Sequence, residues 1–208
     1  MSPADGRLDA EQLRRALGDC TIGHDVLVLE ETTSTNDFVF SIANPETPAG
    51  IVVFAERQTA GRGQHGKRWE SAVGQGLWFS VLLRPQLPLE ETPRLTSWAA
   101  EVVAATLQAE LSLGATVKPP NDVYVGERKV AGVLLEMRAV RDGPHVGILG
   151  IGINVNHGAA DFPDELRARA ASLAMLCGHE VDRQQLAAAV LRGLDHSYAA
   201  KFCKARNF

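Results

Sequence analysis

The sequence at residues 118–137 reads Lys-Pro-Pro-Asn-Asp-Val-Tyr-Val-Gly-Glu-Arg-Lys-Val-Ala-Gly-Val-Leu-Leu-Glu-Met, two apolar runs separated by a short polar turn. The Asn-Asp pair has good turn chemistry after the two prolines, and Gly126 suits the tip of a tight hairpin. The segment therefore predicts strands at Val123–Val125 and Lys129–Met137, paired antiparallel.

Outward from this hairpin, β-branched apolar runs predict further strands at residues 26–30, 51–55, 77–83, 115–118 and 146–155. Helical spacing and end signals predict helices near residues 8–17, 34–43, 95–107, 163–170 and 182–200. Strands joined by hairpin-length turns, with helices mostly grouped elsewhere, favour a mixed or antiparallel sheet with helices on one face. The predicted class is α/β in the α+β sense, with a largely antiparallel sheet flanked by helices.

The composition is that of an ordinary globular protein, with 208 residues, 45% hydrophobic residues and a net charge of -4. This charge gives no general attraction for nucleic acid, but basic residues cluster between Arg57 and Arg68, which indicates a small anionic ligand. Cys20, Cys177 and Cys203 have no metal-ligand spacing and are predicted to be free thiols. A polar N-terminus and the lack of an apolar run of about 20 residues predict a cytoplasmic protein without a membrane span.

A glycine- and arginine-rich loop interrupts the strand pattern at residues 58–69, Gln-Thr-Ala-Gly-Arg-Gly-Gln-His-Gly-Lys-Arg-Trp. Its glycines let backbone N–H groups approach an anion closely, and Arg62, Lys67 and Arg68 add positive charge. It is not a P-loop, because no Gly-Lys-Ser/Thr follows at the required spacing. A flexible surface loop with solvated charges is the alternative interpretation.

The hairpin also positions a lysine. It brings Lys129 back beside Asn121 and Asp122, at the mouth of an apolar strand. An ammonium group there would neutralise a carboxylate or an α-phosphate, whereas the alternative is an exposed hairpin lysine.

Two more segments have alternative interpretations. In Gly150-Ile-Gly-Ile-Asn-Val, Gly150, Gly152 and Asn154 share one face of a strand, which leaves room there for a ligand or for another backbone. Thr33-Ser-Thr-Asn opens the second predicted helix. Its side chains suit helix capping, and they equally suit the polar end of a pocket for a urea-like group.

Together and in this order, these segments resemble the catalytic domain of biotin–protein ligases over residues 26–156. The family pattern is Ser-Thr-Asn, then Gln-x-Ala-Gly-Arg-Gly-x-x-Gly-x-x-Trp, then Lys-Trp-Pro-Asn-Asp with Lys-x-Ala-Gly-x-Leu-x-Glu, then Gly-x-Gly-Ile-Asn. The resemblance implies the sheet shared with class II aminoacyl-tRNA synthetases. It implies activation of biotin with ATP to biotinyl-5′-AMP and transfer to a lysine of a biotin carboxyl carrier protein domain of acetyl-CoA carboxylase or a related carboxylase. A lipoate or octanoate ligase or transferase and a non-catalytic biotin sensor are the alternatives.

The resemblance also implies a set of site residues. The biotin site would comprise Ser34, Thr35, Asn36, Gln58, Arg62, Gly63, Gln64, Lys129, Gly132, Gly150 and Gly152. The nucleotide site would comprise Arg62, Trp69, Asn121 and Asn154. Lys129 and Arg62 would be catalytic, because attack of a carboxylate on the α-phosphate brings two anions together. These cations and the Mg²⁺ of ATP would offset the repulsion, and no protein metal site is predicted.

The sequence departs from the family pattern at two positions. Gln64 stands where many members carry a second arginine, and Pro119 replaces the usual tryptophan. One catalytic domain over residues 1–208 is expected, without the small C-terminal β-barrel and without an N-terminal helix-turn-helix, hence with no DNA and no membrane as partners. A homodimer stays an open alternative.

Overall fold

The computed structural model describes residues 6–85, 87–138 and 145–202, and across these ranges seven strands form one sheet. The strands are β1 Val26–Thr32, β2 Val52–Gln58, β3 Gly76–Leu83, β4 Ala115–Lys118, β5 Asp122–Val125, β6 Arg128–Arg138 and β7 Val146–Asn154. Their order in the sheet is β1-β2-β3-β7-β6-β5-β4. The β1–β2 pair is parallel and the other neighbouring pairs are antiparallel, which confirms the predicted mixed, largely antiparallel sheet.

The helices are α1 Ala10–Leu17, α2 Thr35–Ile42, α3 Pro93–Leu111, α4 Asp164–Arg167, α5 Leu173–Cys177 and α6 Arg183–Phe202. Asp9 caps α1 by accepting from the backbone N–H groups of Glu11 and Gln12, and Gly18 ends that helix with a φ of 63°. The long α3 and α6 pack together, with the ring of Trp98 lying 5.5 Å from that of Tyr198.

The sheet has a core on each face. The larger core joins α1, α3 and α6 to side chains such as Phe54, Phe79 and Leu149. The smaller one packs Val39 of α2 against Val53 and against residues of β3 and β7. The expectation that the helices lie on one face of the sheet is therefore wrong for α2. This helix covers the opposite face, where alternate residues of β2, β3 and β7 are apolar.

The β5–β6 hairpin forms as the sequence predicts, with Gly126 at its turn and a φ of 58°. The helix predicted at residues 163–170 is wrong in extent, because the helical turn stops at Arg167. The reason is a backbone pairing with the hairpin: the N–H of Lys129 donates to the carbonyl of Arg169 at 2.8 Å, and the N–H of Ala171 donates to the carbonyl of Lys129 at 3.0 Å. These bonds need an extended backbone, so they end the helix.

Cys20 and Cys177 are free thiols, and Cys203 lies outside the described residues. Among the helices of the described ranges, none combines the length and apolar character that a membrane crossing requires.

Candidate active site

The start of α2 meets the end of β2. Ser34 occupies the N-cap position of α2, but its side chain makes no capping hydrogen bond, so the capping interpretation is wrong for this hydroxyl. The backbone N–H of Thr35 instead donates to Oε1 of Gln58 at 2.8 Å. Ser34, Thr35 and Asn36 are nearly fully buried. The side chains of Thr35 and Asn36 are held by the sheet, through Ser80 of β3 and Glu136 of β6.

A buried serine that the sequence analysis did not select links these groups. Oγ of Ser80 lies 2.7 Å from Oγ1 of Thr35 and 2.6 Å from Oδ1 of Asn36, and Nδ2 of Asn36 donates to Glu136 at 2.7 Å. Because a serine has a single hydroxyl proton, Thr35 donates to Ser80 when Ser80 donates to Asn36. One polar residue in the fully buried strand Gly-Leu-Trp-Phe-Ser-Val-Leu-Leu is the signal that would have found it.

Three glycines form the floor of this region, because side chains rest directly on the strand backbone. A Cβ on Gly150 would lie 2.4 Å from Oδ1 of Asn36, and one on Gly152 would lie 2.6 Å from Cε2 of Trp69. A Cβ on Gly132 would approach Cζ3 of Trp69 to 2.9 Å. The two neighbouring strands β6 and β7 thus carry glycine where Trp69 crosses them.

The loop of residues 58–69 has a folded backbone. The N–H of Gly63 donates to the carbonyl of Lys67 at 2.7 Å, and the N–H of Trp69 donates to the carbonyl of Gly61 at 2.9 Å. These bonds form a small hairpin-like turn that directs Trp69 onto the glycine floor. The alternative interpretation, a flexible surface loop with solvated charges, does not fit the paired Arg62, although Lys67 and Arg68 are exposed.

Arg62 lies in a network of four charged side chains, Arg62, Asp37, Glu136 and Arg138, here called the arginine–carboxylate cluster. Both terminal nitrogens of Arg62 donate to Asp37, at 2.5 and 2.8 Å, and one also donates to Glu136 at 3.1 Å. Arg138 donates to Asp37 at 3.2 Å and to Glu136 at 3.1 Å. The two carboxylates therefore share both guanidinium groups.

This pairing shifts the protonation of the cluster. Hydrogen bonds from Arg62 lower the pKa of Asp37. Burial acts to raise the pKa of Glu136, but hydrogen bonds from Asn36 and Arg138 outweigh it and leave that pKa lowered. The pKa of Arg62 is raised, chiefly by the hydrogen bonds to Asp37. All three groups are charged at neutral pH.

Lys129 is partly buried, so the interpretation of an exposed hairpin lysine is wrong: its side chain is 28% exposed. Its Nζ lies 2.6 Å from Oδ1 of Asp122 and 5.1 Å from the ring centroid of Trp69. The side chain consequently stands between the glycine floor and the Asn-Asp turn.

Two adjoining cavities meet at Lys129, with volumes of about 50 and 470 Å³. Every residue of the predicted biotin site lines the smaller cavity. Of the predicted nucleotide residues, Trp69, Asn121 and Asn154 line the larger cavity, whereas Arg62 does not. The residues that line both are Gly63, Gln64, Trp69, Asn121 and Lys129.

The larger cavity has an aromatic wall that the sequence analysis also missed. His157 is 3% exposed, stacks on Phe162 with ring centroids 5.2 Å apart, and meets Trp78 edge-on at 5.6 Å. Burial lowers the pKa of His157 to about 4, so the imidazole is neutral at neutral pH. Asn154 lies nearby and donates to the carbonyl of Ala171 at 3.3 Å.

A third cavity, of about 880 Å³, contains none of the predicted site residues. Acidic and basic side chains pair across it: Glu30 with Arg7, Glu31 with Arg57, and Glu56 with Arg183 at 2.7, 2.9 and 2.8 Å. Its lining carries five acidic side chains against three basic ones, which does not favour a phosphate ligand, and it contains none of the glycine floor. The two cavities that meet at Lys129 are therefore the candidate active site.

The chain matches the biotin/lipoate A/B protein ligase family over residues 28–154. The biotin–[acetyl-CoA-carboxylase] ligase of Mycobacterium tuberculosis is 34% identical over 194 residues, which cover 90% of this chain and 70% of that protein. The chain belongs to the biotin/lipoate A/B protein ligase family. The bifunctional ligase/repressor BirA of Bacillus subtilis is 38% identical over 178 residues. That alignment covers 86% of this chain and 55% of the Bacillus protein. The chain thus spans about half the length of its Bacillus relatives.

Solved structures of biotin and lipoate ligases share the fold. A biotin protein ligase from Aquifex aeolicus, in complex with biotin and ATP, superposes with a TM-score of 0.72 at 33% identity, covering 86% of this chain and 74% of that one. A putative lipoate protein ligase from T. acidophilum, at 17% identity and a TM-score of 0.61, shares the fold alone. The sheet of the present chain is therefore the one that the resemblance to biotin–protein ligases implied.

Proposed function

We propose that this protein activates biotin with ATP to biotinyl-5′-AMP and transfers the biotinyl group to a lysine of a biotin carboxyl carrier protein domain. The observation that carries the proposal is the position of Lys129, which lines both adjoining cavities. A carboxylic acid in the smaller cavity and a nucleotide in the larger one would meet beside its ammonium group. Support comes from the similarity to an enzyme that binds biotin and ATP.

The polar end of the smaller cavity suits a ureido group, which offers two N–H donors and one carbonyl acceptor. Oε1 of Gln58 accepts there, and Ser34, Thr35 and Asn36 offer hydroxyl and amide groups of both kinds. The glycine floor suits a flat bicyclic ring, since a ring can lie against strand backbone only where no Cβ projects. Because Trp69 already rests on Gly132 and Gly152, a biotin ring that lies on this floor requires Trp69 or the loop that carries it to shift.

The first chemical step joins two anions. A biotin carboxylate oxygen forms a bond to the α-phosphorus of ATP, the bond from that phosphorus to the bridging oxygen breaks, and pyrophosphate leaves with the electron pair. The ammonium group of Lys129 offsets the repulsion between the two anions as they approach, and the guanidinium of Arg62 provides further positive charge. In the second step a neutral lysine amine attacks the acyl carbon, AMP leaves with the electron pair, and the amine loses a proton.

Magnesium would enter with ATP, as the metal of that substrate. In the described part of the chain no group of three or more His, Cys, Asp or Glu side chains could hold an ion by itself. Asp122 and Asp161 both line the larger cavity, and one or two carboxylates together with phosphate oxygens are the donors that Mg²⁺ prefers. The bound ion would neutralise phosphate charge.

The acceptor is proposed from the relatives. The Mycobacterium tuberculosis protein is named for acetyl-CoA carboxylase, so we propose a carrier domain of that enzyme or of a related carboxylase as the acceptor, in the cytoplasm. The biotinyl group would be attached to its lysine as an amide.

The decisive experiment is biotin-dependent exchange of labelled pyrophosphate into ATP. The proposal predicts exchange with biotin and none with lipoate or octanoate. Exchange with lipoate alone would assign the protein to lipoate activation, and biotin binding without exchange would indicate a sensor. Transfer is tested separately with a carrier domain, and a variant of that domain with arginine in place of the acceptor lysine is the control.

A further inference from the structure

The arginine–carboxylate cluster presents a conflict for Arg62. In the proposed reaction Arg62 offsets charge on the biotin carboxylate and the α-phosphate. In the structure both of its terminal nitrogens already donate to Asp37, in the forked geometry that a guanidinium otherwise uses for a carboxylate or phosphate ligand. Arg62 also donates to Glu136 at 3.1 Å. Asp37 therefore occupies the forked pair of terminal nitrogens, and binding an anionic ligand through that pair requires Arg62 to leave Asp37.

Leaving two carboxylates unpaired would be unfavourable here, because both are partly buried. The side chains of Asp37 and Glu136 are 39% and 24% exposed. A carboxylate withdrawn from water and deprived of its partner loses solvation that nothing replaces. The ease with which Arg62 leaves thus depends on what else holds the two carboxylates.

Arg138 holds both of them. Its Nη2 donates to Oδ1 of Asp37 at 3.2 Å and to Oε1 of Glu136 at 3.1 Å, whereas Arg62 uses the other oxygen, Oε2, of Glu136. The Arg138 guanidinium also lies 4.6 Å from the ring centroid of Phe40, which fixes its position on β6. Asn36 adds a bond to Glu136. After Arg62 departs, each carboxylate therefore keeps a cation.

We propose that Asp37 and Glu136 form a resting site for the Arg62 guanidinium, and that Arg138 is a positioning residue that sets how readily Arg62 leaves this site for the anionic ligand. Arg138 does not touch the ligand in this scheme. It acts by remaining on the carboxylates. This inference rests on the proposed function, because the ligand is taken to be biotin or its adenylate.

Two substitutions should act in opposite directions through Arg62. In Arg138→Gln, Arg62 becomes the sole guanidinium for two carboxylates, so it leaves less readily, and the affinity for biotin and for biotinyl-5′-AMP should fall by about fivefold. In Asp37→Asn, the forked partner loses its charge, so affinity for the same ligands should rise by a similar factor. Arg138→Lys keeps the charge and should restore most of the affinity. Calorimetric titration measures each value.

The same titrations with biotinamide, which has no carboxylate, separate charge from pocket shape. Its affinity should stay within about twofold in all three variants. Arg15→Gln removes an equal charge from the exposed Arg15–Glu11 pair on α1, where the side chains are 68% and 69% exposed. That control variant should bind every ligand as the wild-type protein does.

The deciding comparison repeats Arg138→Gln and Asp37→Asn in an Arg62→Gln background. If Arg138 acts through Arg62, both effects disappear there. If the affinity changes persist at full size in the Arg62→Gln background, they arise from local charge alone and the inference is overturned. Equal loss of biotinamide binding would overturn it as well. A wild-type protein that binds neither biotin nor biotinyl-5′-AMP would overturn the proposed function together with this inference, whereas normal wild-type binding with persisting effects overturns this inference alone.

Discussion

Replacement of His157 with phenylalanine should remove a loss of stability that acidification causes in the wild-type protein. Burial lowers the pKa of His157 from the usual 6.5 to about 4. The unfolded chain therefore binds a proton below pH 6.5 that the folded protein resists binding until about pH 4. The contribution of the neutral imidazole is complete above pH 6.5 and is lost progressively as the pH falls toward 4.

The size of the effect follows from the separation of the two pKa values. At about 1.4 kcal/mol for each pH unit, a lowering from 6.5 to about 4 corresponds to about 3 kcal/mol in the free energy of unfolding. Phenylalanine keeps an aromatic ring beside Phe162 and Trp78, and it also removes a buried Nδ1 that has no hydrogen-bond partner among the described residues. The variant should therefore be as stable as wild type at pH 7, or slightly more stable.

The assay is urea unfolding at a series of pH values between 7 and 4, followed by circular dichroism. The difference in unfolding free energy between the variant and the wild-type protein should grow by about 3 kcal/mol across this range. Asp37 and Glu136, whose pKa values are lowered, affect both proteins alike and cancel in the difference. His179→Phe is the control, since that imidazole is exposed and, within the described ranges, contacts the neighbouring carbonyl of Glu180. Parallel curves for His157→Phe and wild type would refute the reasoning.

Three further predictions concern the active site. Lys129→Ala should slow biotin-dependent pyrophosphate exchange by about 100-fold or more, because it removes a preorganised charge, while calorimetry shows a smaller loss of biotin affinity; a near wild-type exchange rate would place the lysine outside the chemistry. Gln64→Arg should slow release of biotinyl-5′-AMP in stopped-flow experiments by about fivefold to tenfold without changing biotin affinity, since a charge-assisted bond replaces a neutral one. An unchanged release rate would mean that other groups hold the adenylate. Gly152→Ala places a Cβ 2.6 Å from Trp69 and should cost about 1–3 kcal/mol of stability, measured by urea unfolding, as well as biotin affinity. Unaltered stability would show that Trp69 moves aside freely.

The sequence predicted those elements whose determinants are local. The β5–β6 hairpin depends on Gly126 and on β-branched residues that are close in the chain, and the glycine pair of β7 is visible as a spacing of two. The loop of residues 58–69 was recognised because its glycines and basic residues are adjacent. In each case the residues that fix the structure lie within one short segment.

The parts that the sequence did not reveal depend on the order of strands in the sheet. Ser80 meets Thr35 and Asn36 across 45 and 44 residues, and Arg62 meets Glu136 across 74. No local pattern identifies such partners, because they are brought together only when α2 packs over β3 and β7. The same limit explains the helix predicted at residues 163–170, which ends early through its backbone pairing with β6.

That pairing has a consequence for how the protein tolerates change. The backbone N–H and carbonyl of Lys129 bond to Arg169 and Ala171, and Arg169 and Ala170 form part of the wall of the larger cavity. The positions of the lysine and of this wall are consequently coupled, although about forty residues of chain separate them. An insertion or deletion between Phe162 and Ala170 would therefore displace both the ammonium group and the lining of the larger cavity. A change of loop length at the Gly126 turn should therefore reduce activity far less than one within residues 162–170.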